Sequence, residues 1–371
     1  MNQTAFTILV IGGSNSLMRT GYVEAMRYGL ERSLKRPINV VNKAVGASFS
    51  HFGIFQLMRL DPELQVDAIV VEYALNDSEL IYGGTLEEWE RGHEGLLRLL
   101  RQRFPSTPMM SLLFYRRTGI HLSRVSPVAA TICYLARRYH SEVFDAAELI
   151  ESLARPGSLD AKDIYKDDSH YSKMFQAIIG SKVAERICES HATGSTTWQD
   201  LPPVNPKNYS DLKRLGDKLK HHAYGDFEET IFENSLLRES ALVFSEGSGV
   251  RMRIDGKPVA LITFSIPEDG YLRYSNGDNN SIVPFYRRAL RDGKFSFLLN
   301  IVLCDQIFRH KEEEFADRIF ELSLLPQSNE NDVKLTGARQ RPTLETPPPA
   351  DGTPRRFALI DVLYVGTASS V

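Results

Sequence analysis

Four short stretches hold residue types suited to acyl transfer. The first apolar run, Phe6–Ile11, ends in Gly12-Gly13-Ser14-Asn15-Ser16. Two glycines there allow a tight turn where a strand hands over to a helix, so a serine hydroxyl is presented near helix N-terminal N–H groups that can hold an oxyanion. Alone, the stretch also reads as a helix cap or a glycine cradle for phosphate, although it lacks the full dinucleotide and phosphate-loop fingerprints. A serine nucleophile needs a base, and the base needs an orienting acid. Asp167-Asp168-Ser169-His170 supplies both in one loop, with Asp167 placed to fix the tautomer of His170. Its plain alternative is a solvated acidic loop ahead of a helix capped by Ser172. The third stretch is Ala74-Leu75-Asn76-Asp77, where the Asn76 amide can donate to a developing oxyanion or simply form a turn. The fourth is Asn42-Lys43-Ala44-Val45-Gly46-Ala47-Ser48, in which the Gly46 N–H is a second donor or Gly46 a plain loop glycine.

The elements that must position these residues follow from apolar periodicity. Short β-branched runs at Phe6–Ile11, Ile38–Val41, Ala68–Tyr73, Met109–Phe114 and Glu142–Phe144 read as parallel strands. Between them, Val23, Met26, Leu30 and Leu34, and then Leu86, Trp89, Leu96, Leu97 and Leu100, recur at helical spacing. Thr85 with Glu88 forms a capping-box pattern at the start of the second of these helices. Further helices are expected over Ser126–Tyr139 and Ser172–Glu189, giving an α/β layer structure over residues 1–195. Residues 196–225, opening on a Thr/Ser/Pro-rich stretch, are read as a connecting segment, and residues 226–371 as a smaller β-rich domain of sandwich or jelly-roll type. Its strands are expected at Leu242–Phe244, Val250–Ile254, Val259–Ser265, Tyr271–Tyr274, Phe295–Val302 and Ala358–Tyr364, separated by turns such as Asp255-Gly256 and Asn276-Gly277. Residues Gln327–Arg356, with Pro342, Pro347, Pro348 and Pro349, are expected to form a long loop.

Composition narrows the function further. Lys+Arg 44 against Asp+Glu 47 gives a net charge of −3, which argues against a nucleic-acid partner. The first apolar run is too short to span a bilayer and carries no basic leader, so a cytoplasmic location is expected. Three cysteines without a close pair, and no defensible cluster of ligands, predict neither a disulfide framework nor a metal or other cofactor.

The four stretches lie in chain order at strand ends of one α/β unit, and this joint order resembles the SGNH (GDSL-type) hydrolase superfamily over roughly residues 5–190. The family's Gly-Asp-Ser turn, Gly, Gly-x-Asn-Asp and Asp-x-x-His blocks are matched by Ser14, Gly46, Asn76 and the pair Asp167/His170. Gly13 stands where the family usually has Asp, and Ala74 where it usually has Gly; neither change removes a catalytic group. The resemblance implies a flavodoxin-like three-layer fold with a parallel sheet. It also implies a triad of Ser14, His170 and Asp167, and an oxyanion hole of the Ser14 and Gly46 N–H groups with the Asn76 side chain. Gly13, His51, Tyr73 and Asp77 are expected along the substrate pocket, while Tyr115 and Arg116 sit at a strand end nearby; Tyr73 and Tyr115 read more readily as core packing, and His51 also reads as a surface loop group. The activity implied is a serine esterase acting on a small-molecule or glycan ester, such as an O-acetylated carbohydrate. An O-acetyltransferase using the same residues is the alternative, and a non-catalytic glycan- or protein-binding protein is the third reading.

Overall fold

The apolar runs of the first half become a five-stranded parallel sheet in a computed structural model of the chain, which describes residues 4–83, 86–117, 126–153, 160–194, 197–235, 237–276, 279–307, 318–326 and 352–371. The described chain divides into two units, Met1–Ser210 and Asp211–Val371. In the first, β1 (Phe6–Gly12), β2 (Ile38–Asn42), β3 (Ala68–Glu72), β4 (Met109–Leu113) and β5 (Ser141–Asp145) lie in the order 2-1-3-4-5. Every pairing is parallel. Central strands covered on both faces must be apolar throughout, and Ile8 to Ile11 and Ala68 to Val71 are indeed buried without alternation. The chain leaves β1 toward β2 on one side and returns to β3 on the other. Such a switch point opens a crevice at the carboxyl ends of the strands, where ligands bind.

Eight helices accompany the described strands of this unit: α1 (Tyr22–Leu34), α2 (Ser50–Met58), α3 (Ala74–Gly83), α4 (Leu86–Arg103), α5 (Pro127–Arg138), α6 (Ala146–Leu153), α7 (Ala161–Ile164) and α8 (Lys173–Thr193). Helix α2 escapes sequence reading because residues 50–57 are all buried, so it has no polar face to set a period. Asn76 and Asp77 lie not in a loop but on the first turn of α3. Thr85, half of the expected capping box, lies outside the described residues, whereas Ser172 caps α8 through the Phe175 N–H.

The stretch read as a connecting segment over 196–225 divides between the two units. Residues 197–210 form a strap on α4: the buried Glu94 carboxylate accepts from the N–H groups of Val204 (2.6 Å) and Asn205 (2.8 Å) and from Tyr139 Oη (2.6 Å). Arg98 donates to Leu201 O, and the backbone of Tyr209 lies where a side chain on Gly95 would otherwise stand, 2.7 Å from the Cβ position. Proline leaves this segment few N–H groups for regular structure, and Glu94 of the helix satisfies two of those it has.

In the second unit the strands are antiparallel. They are β6 (Lys213–Arg214), β7 (Ala223–Tyr224), β8 (Phe227–Glu233), β9 (Arg238–Ser245), β10 (Gly249–Ser265), β11 (Tyr271–Asn276), β12 (Asn279–Pro284), β13 (Leu298–Leu303), β14 (Arg318–Leu324) and β15 (Arg356–Ser369). Their order is 12-11-14-10-15-9-8, with β13 and β7 also on β10 and β6 on β15. Asp255-Gly256, expected to close a hairpin, instead lies inside β10, where Gly256 faces Gly366 of β15. Strand β10 pairs with β14 over its first half and with β13 over its second. The core gathers Phe244, Met252, Leu261, Phe320 and Phe357. Asn276 pairs with Asn279 across the β11–β12 hairpin, while Gly277 and most of the expected proline-rich loop, residues 327–351, lie outside the described residues.

Candidate active site

Ser14 opens a one-turn 3-10 helix, Ser14–Leu17, directly after β1. Across the crevice, residues 165–171 form a tight hairpin closed by the Tyr165–Tyr171 bridge and by the Lys166 N–H on His170 O (2.9 Å). The hairpin brings Asp167 and His170 together as local neighbours. His170 Nδ1 lies 2.8 Å from Asp167 Oδ1 and 3.0 Å from Oδ2, and His170 Nε2 lies 2.9 Å from Ser14 Oγ. With the Nδ1 proton directed at Asp167, Nε2 is left to accept from Ser14 Oγ. Asp167 Oδ1 also accepts from the N–H groups of Ser169 and His170, both at 2.9 Å. Burial works against its charge, but the Ser169 N–H and the His170 ring outweigh it and hold the carboxyl below the usual aspartate range. The side chains of His170 and Asp167 remain 29% and 47% exposed, so water reaches the couple.

The expected anion donors converge on Ser14 from the next two strand ends. The Cβ position of Gly46 is 3.8 Å from Ser14 Cβ, and the Asn76 amide lies over Gly13, its Nδ2 2.9 Å from the Gly13 Cβ position. Among the described residues neither the Gly46 N–H nor the Asn76 amide has a hydrogen-bond partner. Donors left unspent beside a nucleophile are what a developing oxyanion requires. Ala47, next to Gly46, takes a left-handed backbone conformation (φ +56°), which for a residue with a Cβ costs about 1 kcal/mol and marks a fixed loop shape.

Several residues that hold this geometry escape sequence reading. Asn15 Nδ2 donates to Ser169 O (3.0 Å), tying the Ser14 turn to the histidine hairpin. Gln176 of α8 donates to Asn15 Oδ1 (3.1 Å) and accepts from the Tyr22 N–H at the start of α1 (2.8 Å). Asn42 donates to Ser16 O and accepts from the Ala44 N–H, joining the turn to the Gly46 loop. Tyr171 is buried among Phe114, Tyr165 and Phe175 and accepts from the Tyr115 N–H (3.0 Å), which anchors its neighbour His170. The one legible signal was Glu72, a charge ending the otherwise apolar β3.

Three residues expected to line the substrate pocket do not face it. Asp77 is fully buried and accepts from the Ser50 N–H at the start of α2 (2.9 Å), with His93 Nδ1 3.3 Å from its other oxygen. His51 is fully buried, packed against Gly92 and Tyr209. Tyr73 is buried against Gly53. Each sits within five residues of a site residue in sequence, but α2 and α3 turn His51 and Asp77 into the core, and Tyr73, between β3 and α3, is buried as well. Gly13 does lie at the site, beneath Asn76. Tyr115 is buried with its hydroxyl on Asp145 (3.2 Å), and His121 lies outside the described residues. Among the described residues no helix is long and apolar enough to cross a membrane.

The described chain thus has a parallel α/β sheet with a switch point, Ser14, Gly46 and Asn76 standing after the ends of its strands, followed by an antiparallel β-rich unit. Its fold is similar to that of solved two-domain esterases. It matches the crystal structure of a two-domain esterase (CEX) active on acetylated mannans, co-crystallised with mannopentaose, at a TM-score of 0.68 and 14% sequence identity, covering 98% of this chain and 92% of that one. A second crystal structure of a two-domain esterase (CEX) active on acetylated mannans gives a TM-score of 0.66 at 15% identity, covering 98% of this chain and 92% of that one. No protein-family model matches the sequence, and no curated protein does.

Proposed function

We propose that the protein is a serine esterase that removes O-acetyl groups from a carbohydrate. The observation that carries this reading is the unbroken relay from Ser14 Oγ through His170 to Asp167, with links of 2.9 and 2.8 Å. His170 Nε2 takes the Ser14 proton as Oγ attacks the acetyl carbonyl. The oxyanion accepts from the N–H groups of Ser14 and Gly46 and from Asn76 Nδ2. His170 then gives that proton to the departing sugar oxygen, which leaves as a hydroxyl; a water deprotonated by His170 attacks the acyl-enzyme, and His170 returns the proton to Ser14 Oγ as acetate leaves. The exposure of His170 and Asp167 favours water over a sugar hydroxyl as the acceptor, and so hydrolysis over acetyl transfer. The carbohydrate assignment is supported by the fold shared with an esterase active on acetylated mannans.

The test is acetate release from acetylated mannan and from p-nitrophenyl acetate by the parent and by Ser14→Ala, each verified by circular dichroism. Acetate released by the parent and not by the variant is expected. Equal rates in both proteins refute Ser14 as the nucleophile. Cleavage of p-nitrophenyl acetate without release from acetylated mannan or other acetylated glycans keeps the esterase and removes the carbohydrate.

A further inference from the structure

Beneath Ser14 lies a buried acid that the relay does not use. Strand β3 is apolar until its last residue, Glu72, whose side chain is fully buried. The Gly13 N–H donates to Glu72 O (3.0 Å) and to Oε2 (3.2 Å), and Ser16 Oγ donates to the same Oε2 (3.0 Å). Gly13 and Ser16 flank Ser14 and Asn15, so a single carboxyl oxygen grips both ends of the segment that presents the nucleophile. Ser16 Oγ is held in turn by the hydroxyl of Tyr22 at 2.7 Å. The second oxygen, Oε1, is buried without a hydrogen-bond partner. A carboxylate enclosed in this way, with one oxygen bare, is unfavourable as an ion.

The groups facing Glu72 do not offset that burden. Tyr22 from α1 is itself pushed well above the usual phenol range, by burial and then by Glu72. Asp77 from α3 adds a like charge, and Tyr73, the next residue along, is raised by burial first. Among the described residues no cation counters this. Burial, the largest influence, with Asp77 alongside, outweighs the hydrogen bonds from Ser16 and Gly13 and lifts Glu72 from 4.5 to about 8.

We propose that Glu72, as an uncharged carboxylic acid, is the positioning residue that sets Ser14 against His170, and that its ionisation turns the site off. This rests on the reading of Ser14 as the nucleophile. In the neutral form Oε2 holds Gly13 and Ser16 while the proton occupies the bare Oε1. Loss of that proton makes Oε2 a stronger acceptor, draws both ends of the turn downward, and places a negative charge directly below the point where the oxyanion develops.

The test follows kcat and KM for p-nitrophenyl acetate from pH 6 to 9.5 in the parent, Glu72→Gln and Glu72→Leu, with Ser14→Ala as the blank. Above pH 8 the parent's kcat is expected to fall about tenfold per pH unit with KM steady, as a single titrating group dictates. Glu72→Leu removes the acceptor and is expected to lower kcat about tenfold at pH 7 with KM unmoved. Glu72→Gln retains an acceptor oxygen and cannot ionise, so it is expected to restore most of that loss and to abolish the alkaline fall. A parent that is active and silenced by Ser14→Ala, yet shares its pH profile with Glu72→Gln, overturns the proposal and leaves the nucleophile standing. So does full kcat in Glu72→Leu. A parent no more active than Ser14→Ala overturns both readings together.

Discussion

Gly13 offers a perturbation whose size can be worked from the structure. Its backbone, at φ −96° and ψ −154°, suits any residue, so an alanine there is not strained by conformation. The obstacle is space: the added methyl would lie 2.3 Å from Asn76 Oδ1, 2.7 Å from Cγ and 2.9 Å from Nδ2, well inside van der Waals contact. The glycine cannot retreat, because its N–H is held by both the backbone and the side chain of Glu72. Asn76 must therefore turn its amide away. Losing one oxyanion donor lowers kcat by about 10²–10³, or roughly 3–4 kcal/mol of transition-state stabilisation. KM should barely move, because the ground-state ester makes no anionic contact. Gly13→Ala, Asn76→Ala and the double variant, compared on p-nitrophenyl acetate, form a closed cycle. Truncating Asn76 deletes the very atoms that the methyl strikes, so the double variant should be no slower than Asn76→Ala alone. A kcat in Gly13→Ala within threefold of the parent, or losses that add in the double variant, refutes the reasoning.

Three further outcomes can be measured. Asp167→Asn, which keeps the shape but loses the charge that fixes the His170 tautomer, should lower kcat by about 10³–10⁴ with little change in KM. Its parent carboxyl is held below the usual aspartate value, so the stability it contributes is complete above that value and lost as pH falls through the folded one; acid titration of thermal stability should show this loss in the parent only. Glu72 runs the other way: folded near 8 against 4.5, it keeps a proton that the unfolded chain releases, so stability falls by up to about 5 kcal/mol as pH rises from 4.5 to 8. Urea midpoints of the parent and Glu72→Gln at pH 5 and pH 8 should converge at the lower pH and separate at the higher, with the variant more stable. Glu94→Ala strands the Tyr139 hydroxyl and two backbone N–H groups, which should lower stability by about 3 kcal/mol or more and open residues 197–210 to limited proteolysis.

Much of the α/β unit was legible because its signals are local. β-Branched runs and helical stripes gave all five strands to within a residue or two, and Ser14, Gly46, Asn76, Asp167 and His170, read from their order, stand together as a candidate site. What was not legible depends on rotation and on distance in sequence. His51, Tyr73 and Asp77 lie near site residues in the chain, but helix phase turns His51 and Asp77 inward, and Tyr73, at the end of β3, is buried against Gly53. Asn15 and Gln176 are 161 residues apart, and no local pattern announces that they meet. Strands β8 and β14 are not among the expected ones: in β14 an exposed Ile319 beside buried Phe320 breaks the alternation, and β8 mixes three glutamates with exposed Phe227 and Ile231 and reads as surface.

The strap over residues 197–210 bears on where this chain can be cut. A gene fragment ending at the Thr/Ser-rich stretch near residue 195 would be the natural choice for expressing the α/β half by itself. It would leave Glu94 buried on α4 without the two amides it binds, Tyr209 missing from Glu88, and Gly95 facing an empty slot. Carrying the fragment on to Ser210 supplies all of these groups, so a segment whose described part, residues 197–210, has no regular structure beyond the 3-10 turn begun at Tyr209 belongs with the isolated half.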